Sequence, residues 1–217
     1  MDLEEVIKTR RSIRKYQDKD VPIDLILEAI ALATWAPNGG NFQPWTFVVV
    51  RKSHLIQQVA RLVQQKVDMI AAWPEAAPLA ETMERYQRLA GFFQSAPVLI
   101  GMTMRTYQSG PDRVLQERAK WDEEAAEMVR NRATVSTRVQ TISAAITILL
   151  LALHNMGLGA CWMTGPMLAK REIEQLLELR GDEELFALMP VGFPDEEPVP
   201  PPRKPLGDVV RIIEQGD

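Results

Sequence analysis

Residues 36–45 read APNGGNFQPW and join a predicted helix to a predicted strand. Upstream, apolar residues recur at helical spacing over 26–33. Downstream, the run TFVVV at 46–50 is β-branched and aromatic, which is typical of a buried strand. Two adjacent glycines can adopt positive φ and let a ligand approach the backbone closely. A conformationally special loop at a helix–strand junction is therefore the first candidate for a binding site.

Three amide side chains flank the two glycines. Asn38, Asn41 and Gln43 can each donate and accept hydrogen bonds, which suits a flat heterocycle with alternating donors and acceptors. Asn, Gly and Pro are also the commonest residues of ordinary turns. Taken alone, the loop favours a simple turn over a ligand site.

Composition narrows the class of protein. The 217 residues can form one large domain or two small ones, and a net charge of −4 argues against nucleic-acid binding. A single cysteine, Cys161, excludes an internal disulfide and a cysteine-based zinc site. Residues 1–5 are acidic, unlike a signal peptide, and the apolar run 142–153 is shorter than the roughly 20 residues that span a bilayer. We expect a cytoplasmic globular protein with no membrane partner.

Helix and strand signals alternate along the chain. A polar stretch at about 105–134 is an excursion from the core, and a proline-rich arm begins at about 194 and runs to 217. The helix predicted over 138–156 has almost no polar face, so it must be buried in a core or at a subunit contact. One domain over 1–217 is expected, with predicted helices near 3–7, 23–34, 53–67, 79–94 and 138–156 and predicted strands near 46–50, 96–102, 158–163 and 185–193.

The segment from Lys8 to Lys15 carries five basic side chains and two hydroxyls. Guanidinium groups beside a serine hydroxyl can hold a phosphate, but a cluster of this kind on its own is more often a solvated basic face. The two histidines, His54 and His154, both lie on predicted helices. They support neither a Ser-His-Asp triad nor a histidine-rich metal site.

Five motifs follow one another along the chain. They are RRSIR at 10–14, APNGGNFQPW at 36–45, GLGACW at 157–162, PVGF at 190–193 and RKPL at 203–206. Taken together and in this order, they resemble the nitroreductase family of FMN-dependent oxidoreductases. The resemblance runs over nearly the whole chain and reverses the two weaker interpretations above.

The resemblance implies an α+β fold with a mixed, mostly antiparallel central sheet flanked by helices, in an intertwined homodimer with FMN at the subunit interface. The first basic motif and the last would hold the phosphate and ribityl chain, and the amide loop would pack on the ring from the partner chain. The implied cofactor-binding residues are Arg10, Arg11, Ser12, Arg14, Pro37, Asn38, Gly39, Asn41, Gln43, Met163, Thr164, Gly165, Arg203 and Lys204.

The implied activity is transfer of a hydride from NADH or NADPH through FMN to a small conjugated acceptor, such as a nitroaromatic or a quinone. The flavin carries the chemistry, so no catalytic acid, base or metal is required, and Arg14 would stabilise the reduced ring. Flavin fragmentation, reductive dehalogenation and non-catalytic flavin binding remain alternatives. Two departures stand out: Thr164 replaces an acidic residue of many relatives, and 89–93 offers no polar contact to the flavin.

Overall fold

The computed structural model describes residues 1–213 as eight helices around a four-stranded sheet. The strands pair in the order β1-β2-β4-β3, and every pair is antiparallel. This confirms the predicted α+β fold. The helices are α1 Leu3–Thr9, α2 Ile23–Ala33, α3 Ser53–Ala71, α4 Ala80–Ala90, α5 Gly110–Arg118, α6 Glu123–Val135, α7 Thr137–Asn155 and α8 Lys170–Leu176; the strands are β1 Trp45–Val50, β2 Val98–Arg105, β3 Gly159–Ala160 and β4 Glu183–Gly192.

The two faces of the sheet carry two separate cores. In β2, Ile100 and Met102 face a cluster that includes α2 and α7, whereas Leu99 faces a second cluster that includes α3 and α8. Successive strand residues point to opposite faces, so an apolar strand serves both layers at once. The continuous apolar run in β2 follows from this burial on both sides.

Helix α7 is the central helix of the first layer. Ile142, Ala145, Ile146 and Leu149 are buried on its core face, but Val139 remains 49 % exposed. By length and composition alone, the helical run 123–155 could cross a membrane. Its continuity is broken at Ser136, where φ is 38°, and α7 packs against α2 and the sheet. A core helix accounts for its apolar character, although burial on every side is not reached in one chain.

The turn after α7 explains the first glycine of the GLGACW motif. Gly157 has φ of 78°, its N–H donates to the His154 carbonyl, and the Leu158 N–H donates to the Leu153 carbonyl. These two bonds form a Schellman motif, which requires the left-handed conformation that glycine adopts at little cost. Gly157 is therefore the left-handed residue that closes the end of α7.

Several element boundaries differ from the sequence prediction. The third strand is only Gly159–Ala160, although Met163 continues it with an isolated bridge to Leu188. Helix α4 ends at Ala90, and a 3-10 turn over Phe92–Ser95 follows it. These are the ends of elements, where hydrogen bonding to partners distant in sequence decides the outcome.

The polar excursion and the arm lie outside the two cores. Helices α5 and α6 form a hairpin over 110–135, where the excursion was predicted. The chain from 195 to 205 forms no helix or strand, and the apolar residues that follow it are exposed, with Val209 at 62 % and Ile213 at 83 %. The last positions of the predicted arm, 214–217, lie outside the described residues.

Candidate functional site

The basic segment after α1 lies against the β3 end of the sheet. Ser12 forms a parallel bridge with Ala160, and Tyr16 forms a bridge with Pro194. On the other side, the Glu196 carboxylate accepts hydrogen bonds from the backbone N–H groups of Arg14 and Lys15. The segment is therefore held as an extended strand between β3 and the chain that leaves β4.

The side chains of this segment do not alternate between two faces as a regular strand predicts. An extended segment was expected to place Ser12, Arg14 and Tyr16 on one face and Ile13 on the other. Instead Tyr16 and Ile13 are both buried and pack in the same small cluster, and the Tyr16 hydroxyl donates to the Ile13 carbonyl at 2.6 Å. Burial raises the pKa of Tyr16, so the phenol stays neutral and serves the fold.

The positive charge of Arg203, from the other end of the chain, acts on Arg10 beside this segment. Arg10 is half-buried, and burial lowers its pKa, which Arg11 and Arg203 lower further by their positive charges. Among residues 1–213, none of these three arginines has a carboxylate within 4.0 Å. A cluster of like charges without a protein counterion is the arrangement that a phosphate dianion would neutralise.

The other basic residues of the two motifs are placed differently. The Arg11 side chain turns back and donates from Nη1 to the carbonyls of Lys8 and Arg10, at 2.8 and 2.7 Å. Arg14 is exposed, and its Nη1 lies 3.4 Å from the Ser12 carbonyl. Lys204 is also exposed. Arg14 and Lys204 are therefore free to meet a ligand, whereas Arg11 also braces the backbone.

After β3 the chain leads away from the basic cluster. In this strip, from Ala160 to Gly165, buried and exposed residues alternate over 161–164. Cys161 and Met163 are buried, whereas Trp162 and Thr164 are exposed. The Met163 side chain lies in the core, and its N–H and carbonyl both bond to Leu188, so it offers a ligand no free polar group. Thr164 and Gly165 begin a 3-10 turn and are both exposed, so their backbone remains accessible.

The amide loop has an unusual backbone. Gly40, Asn41 and Gln43 have φ of 62°, 53° and 49°, in the left-handed region that glutamine rarely adopts. The Asn38 side chain stabilises this shape, since its Oδ1 accepts from the Gln43 N–H at 2.9 Å. Strained residues of this kind cluster at functional sites. The side chains of Asn41 and Gln43 are exposed, so the loop presents them outward.

Within one chain the loop and the basic cluster lie at opposite ends of the sheet. At one end of the sheet, Arg105 of β2 lies opposite Glu183 of β4, and the Arg105 N–H donates to the Pro44 carbonyl at the end of the loop. Ser12 bridges to Ala160, which is opposite Val191. Eight residues of β4 separate the two ends, or roughly 25 Å at strand spacing. The structure therefore does not bring all the predicted site residues together in one chain.

Three residues near the site were not found from the sequence. Glu196 holds the basic segment, Cys161 lies beside it, and Tyr86 in α4 lies next to Gly165. Burial raises the pKa of the Cys161 thiol, and Arg14 opposes the rise. Tyr86 shares a face with Ala90 and Phe93 at spacings of four and seven, so the helical pattern contained a signal for it.

Three known proteins are similar to this chain over nearly its whole length. The YfhC protein of Bacillus subtilis, provisionally named an NAD(P)H nitroreductase, is 29 % identical over 95 % of this chain and 91 % of its own. The iodotyrosine deiodinase of Thermotoga neapolitana is 25 % identical over 96 % of this chain and 95 % of its own. A BluB-like flavoprotein from Clostridium difficile 630 has the same fold, with a TM-score of 0.84, 27 % identity and coverage of 99 % and 100 %.

The model of one family matches most of the chain. The description "Nitroreductase family" applies to residues 7–193, a range that contains the basic segment, the amide loop and the turn at Gly165. The chain therefore belongs to the nitroreductase family of oxidoreductases.

Proposed function

We propose that this protein is an FMN-dependent oxidoreductase that takes electrons from NADH or NADPH and passes them to a small conjugated acceptor. The observation that carries the proposal is the cluster of Arg10, Arg11 and Arg203, half-buried in part and without a carboxylate partner among residues 1–213. It has the charge that one phosphomonoester needs. The chain shows no Gly-x-Gly-x-x-Gly fingerprint after a strand, so a dinucleotide is disfavoured.

The strip from Ala160 to Gly165 fits the remainder of the cofactor. Five residue steps separate Ala160 from Gly165, roughly 16 Å at strand spacing, and the exposed side chains of Trp162 and Thr164 lie along them. Arg10, Ser12 and Arg203 would hold the phosphate at one end. The backbone N–H groups of Thr164 and Gly165 would approach the reactive edge of the ring at the other. Similarity to a BluB-like flavoprotein supports a flavin here.

The roles of the protein residues follow from this placement. The bound FMN supplies the redox chemistry, accepting two electrons from a nicotinamide and giving them up to the acceptor. Arg14 would place a positive charge near the electron-rich pyrimidine edge, and this charge favours the reduced state. Thr164, in place of an acidic residue, leaves the opposite edge without a negative charge.

The amide loop supports a homodimer. Because the loop lies roughly 25 Å from the basic cluster of its own chain, we assign its exposed Asn41 and Gln43 to the flavin held by another copy. Pro37, Asn38 and Gly39 would then border the ring of the partner's cofactor. A two-fold pair would place each loop at the partner's basic cluster and create two equal sites. Location in the cytoplasm is part of the same proposal, since the one cysteine is free.

The spectrum of the purified protein tests the proposal. We expect a yellow protein that releases FMN, and not FAD, on denaturation. We also expect NADH or NADPH to bleach the flavin band without oxygen, and a quinone or nitroaromatic to restore it. A colourless protein that does not take up added FMN would overturn the cofactor assignment. A yellow protein that neither nicotinamide bleaches would favour a non-catalytic flavin-binding role.

Reductive dehalogenation is the second candidate. The observation that favours it is the similarity to an iodotyrosine deiodinase over nearly the full length of both chains. Reduction of an iodophenol would release iodide, which an ion-selective electrode detects directly. Iodide release with faster turnover than reduction of a quinone would make dehalogenation the better assignment.

A further inference from the structure

One phenol lies beside the turn that we assign to the reactive edge of the flavin. A Cβ built on Gly165 would lie 3.3 Å from the Tyr86 hydroxyl oxygen. Thr164 and Gly165 are both exposed. The hydroxyl is therefore on the side of the turn toward which a Gly165 side chain would point.

The ring of Tyr86 is held in place, although its hydroxyl is not. The ring is half-buried and packs against the core cluster on the α3 side of the sheet. Its neighbour Gln87 donates to the Asp68 carboxylate at 2.8 Å, and Gln64 donates to the same oxygen at 2.9 Å, which fastens α4 to α3. A phenol on a fixed helix can aim its hydroxyl with little loss of side-chain entropy.

The hydroxyl of Tyr86 has no hydrogen-bond partner within residues 1–213. In contrast, the Tyr16 hydroxyl donates to the carbonyls of Ile13 and Pro190 and is used by the fold. The Tyr86 oxygen is also absent from the fully buried unpaired polar atoms of the described chain. It is therefore a reachable donor at the edge of the proposed site.

We propose that Tyr86 contacts the electron acceptor, donating its hydroxyl to a nitro or carbonyl oxygen of an aromatic molecule stacked beside Gly165. This assignment rests on the proposed function. A quinone gains two electrons and two protons to become a hydroquinone; the electrons come from NAD(P)H, one proton arrives with them and the other comes from solvent. Negative charge grows on the quinone oxygen in this step, so an aimed donor stabilises it without being consumed.

The proposal defines a substrate class. Conjugated acceptors with an oxygen at the ring edge gain the hydrogen bond, and acceptors without such an oxygen gain only stacking. This class includes quinones and nitroaromatics.

A binding experiment on the oxidised holoprotein tests the contact without turnover. Nitrobenzene and isopropylbenzene have similar shapes, but only the first has oxygens, and both can be titrated by their effect on flavin absorbance. Tyr86→Phe should raise the Kd of nitrobenzene about 3- to 10-fold, the value of one net hydrogen bond, and leave that of isopropylbenzene within about two-fold. Arg85→Gln, at an exposed position on the same helix, should change neither Kd.

A kinetic measurement on the reduced holoprotein provides the second readout. Tyr86→Phe should slow reoxidation by menadione about 3- to 10-fold and leave reoxidation by ferricyanide unchanged, because ferricyanide needs no hydrogen bond. Tyr86→His, which keeps a donor, should recover part of the menadione rate. The role of Tyr86 would be overturned if Tyr86→Phe changed the Kd of nitrobenzene and of isopropylbenzene equally and the reoxidation rates with menadione and ferricyanide equally. It would also be overturned if the substitution changed none of these four quantities. Failure of the wild-type protein to bind FMN or to be bleached would overturn the proposed function instead.

Discussion

At the scale of single residues, two glycines determine where the basic segment lies. A Cβ on Gly159 would come within 2.7 Å of the Ile13 side chain, and a Cβ on Gly192 within 2.8 Å of Tyr16. Real Cβ atoms do not tolerate such distances, so Ile13 and Tyr16 can approach the sheet only over glycine. The segment that carries Arg10 and Ser12 is thereby fixed at the end of β3.

Gly159→Ala should therefore destabilise the protein and weaken FMN binding together. The added methyl group displaces Ile13, which costs about 1–3 kcal/mol of overpacking, and moves the phosphate cluster with it. Thermal unfolding of the apoprotein and FMN titration measure the two effects. Gly181→Ala is the matched control, since no atom lies within 4 Å of its added Cβ. Equal melting temperatures for the two variants would contradict the role of the close approach.

Arg14→Ala should lower the midpoint potential of the bound flavin. Loss of one aimed donor costs about 2.7 kcal/mol in a dry site, which is about 60 mV for a two-electron couple. Because Arg14 is exposed, we expect a smaller shift than this upper value. Dye-coupled photoreduction measures the potential, and Lys15→Ala, also exposed, is the control. An unchanged potential with full FMN occupancy would remove Arg14 from this role.

His154 gives the apoprotein a defined pH dependence. Its ring nitrogen lies 2.8 Å from the Thr9 hydroxyl, and burial lowers its pKa, as do the charges of Arg10 and Arg11. The unfolded chain takes up a proton near pH 6.5, whereas the folded chain does so only at lower pH. Stability should therefore fall as the pH drops below about 6.5, and no such loss should occur above it.

Urea unfolding at about pH 8 and about pH 5.5 measures this loss. His154→Gln keeps a hydrogen-bonding group near Thr9 but does not titrate. The free energy of unfolding of the wild type should decline more than that of the variant over this interval. Parallel declines would show that other groups, such as carboxylates, account for the whole effect.

At the scale of secondary-structure elements, the local sequence pattern was enough to predict the elements of the core. It was not enough to predict where the elements at the edge of the sheet end. β2, β4 and α7 were predicted because each is a long apolar run with a clear period or β-branched content. β3 was predicted too long, since its strand pairing with β4 covers only Gly159–Ala160 and returns as a single isolated bridge at Met163. Pairings such as Glu196 with Arg14, 182 positions apart, leave no mark on local periodicity.

One carboxylate joins three elements, and its removal should affect all of them. Glu184 in β4 pairs with Arg138 of α7 at 2.6 Å and also with Lys170 of α8. These two partners, Lys170 first, lower the pKa of Glu184. Since the Nε of Arg138 is buried without a partner among residues 1–213, the loss of Glu184 leaves a poorly satisfied guanidinium.

Glu184→Ala should lower the free energy of unfolding by about 1 kcal/mol. The expected loss is this small because the Glu184 side chain is 41 % exposed and solvent weakens its ion pairs. Urea denaturation of the apoprotein measures it. Glu117→Ala is the control, because within the described chain Glu117 forms an ion pair only with Lys120 in the exposed turn after α5, and its loss should cost almost nothing. A Glu184 variant as stable as the Glu117 variant would show that the three elements are held by apolar packing alone.

At the scale of the whole molecule, one chain keeps the amide loop apart from the basic cluster and leaves apolar residues exposed. The loop and the basic cluster lie roughly 25 Å apart. The arm exposes Leu206 at 74 % and Ile212 at 74 %, and α1 exposes Leu3 at 70 %. Apolar surface on this scale, together with a divided site, is what a second copy would complete.

Truncation after Pro202 should therefore weaken the dimer and FMN binding together. The arm stays beside its own basic segment as far as Arg203, and the exposed apolar residues beyond it, such as Leu206 and Ile212, are the part that would reach a neighbour; truncation removes these residues together with Arg203. Obligate interfaces exceed about 2,000 Å², so a folded monomer of the full chain should be scarce. Sedimentation measures the association state, and FMN fluorescence measures cofactor binding.

Arg203→Gln with Lys204→Gln in the full chain is the control: it should weaken FMN binding but keep the dimer. A truncated protein that is monomeric, yellow and stable would show that the arm neither joins the subunits nor holds the cofactor.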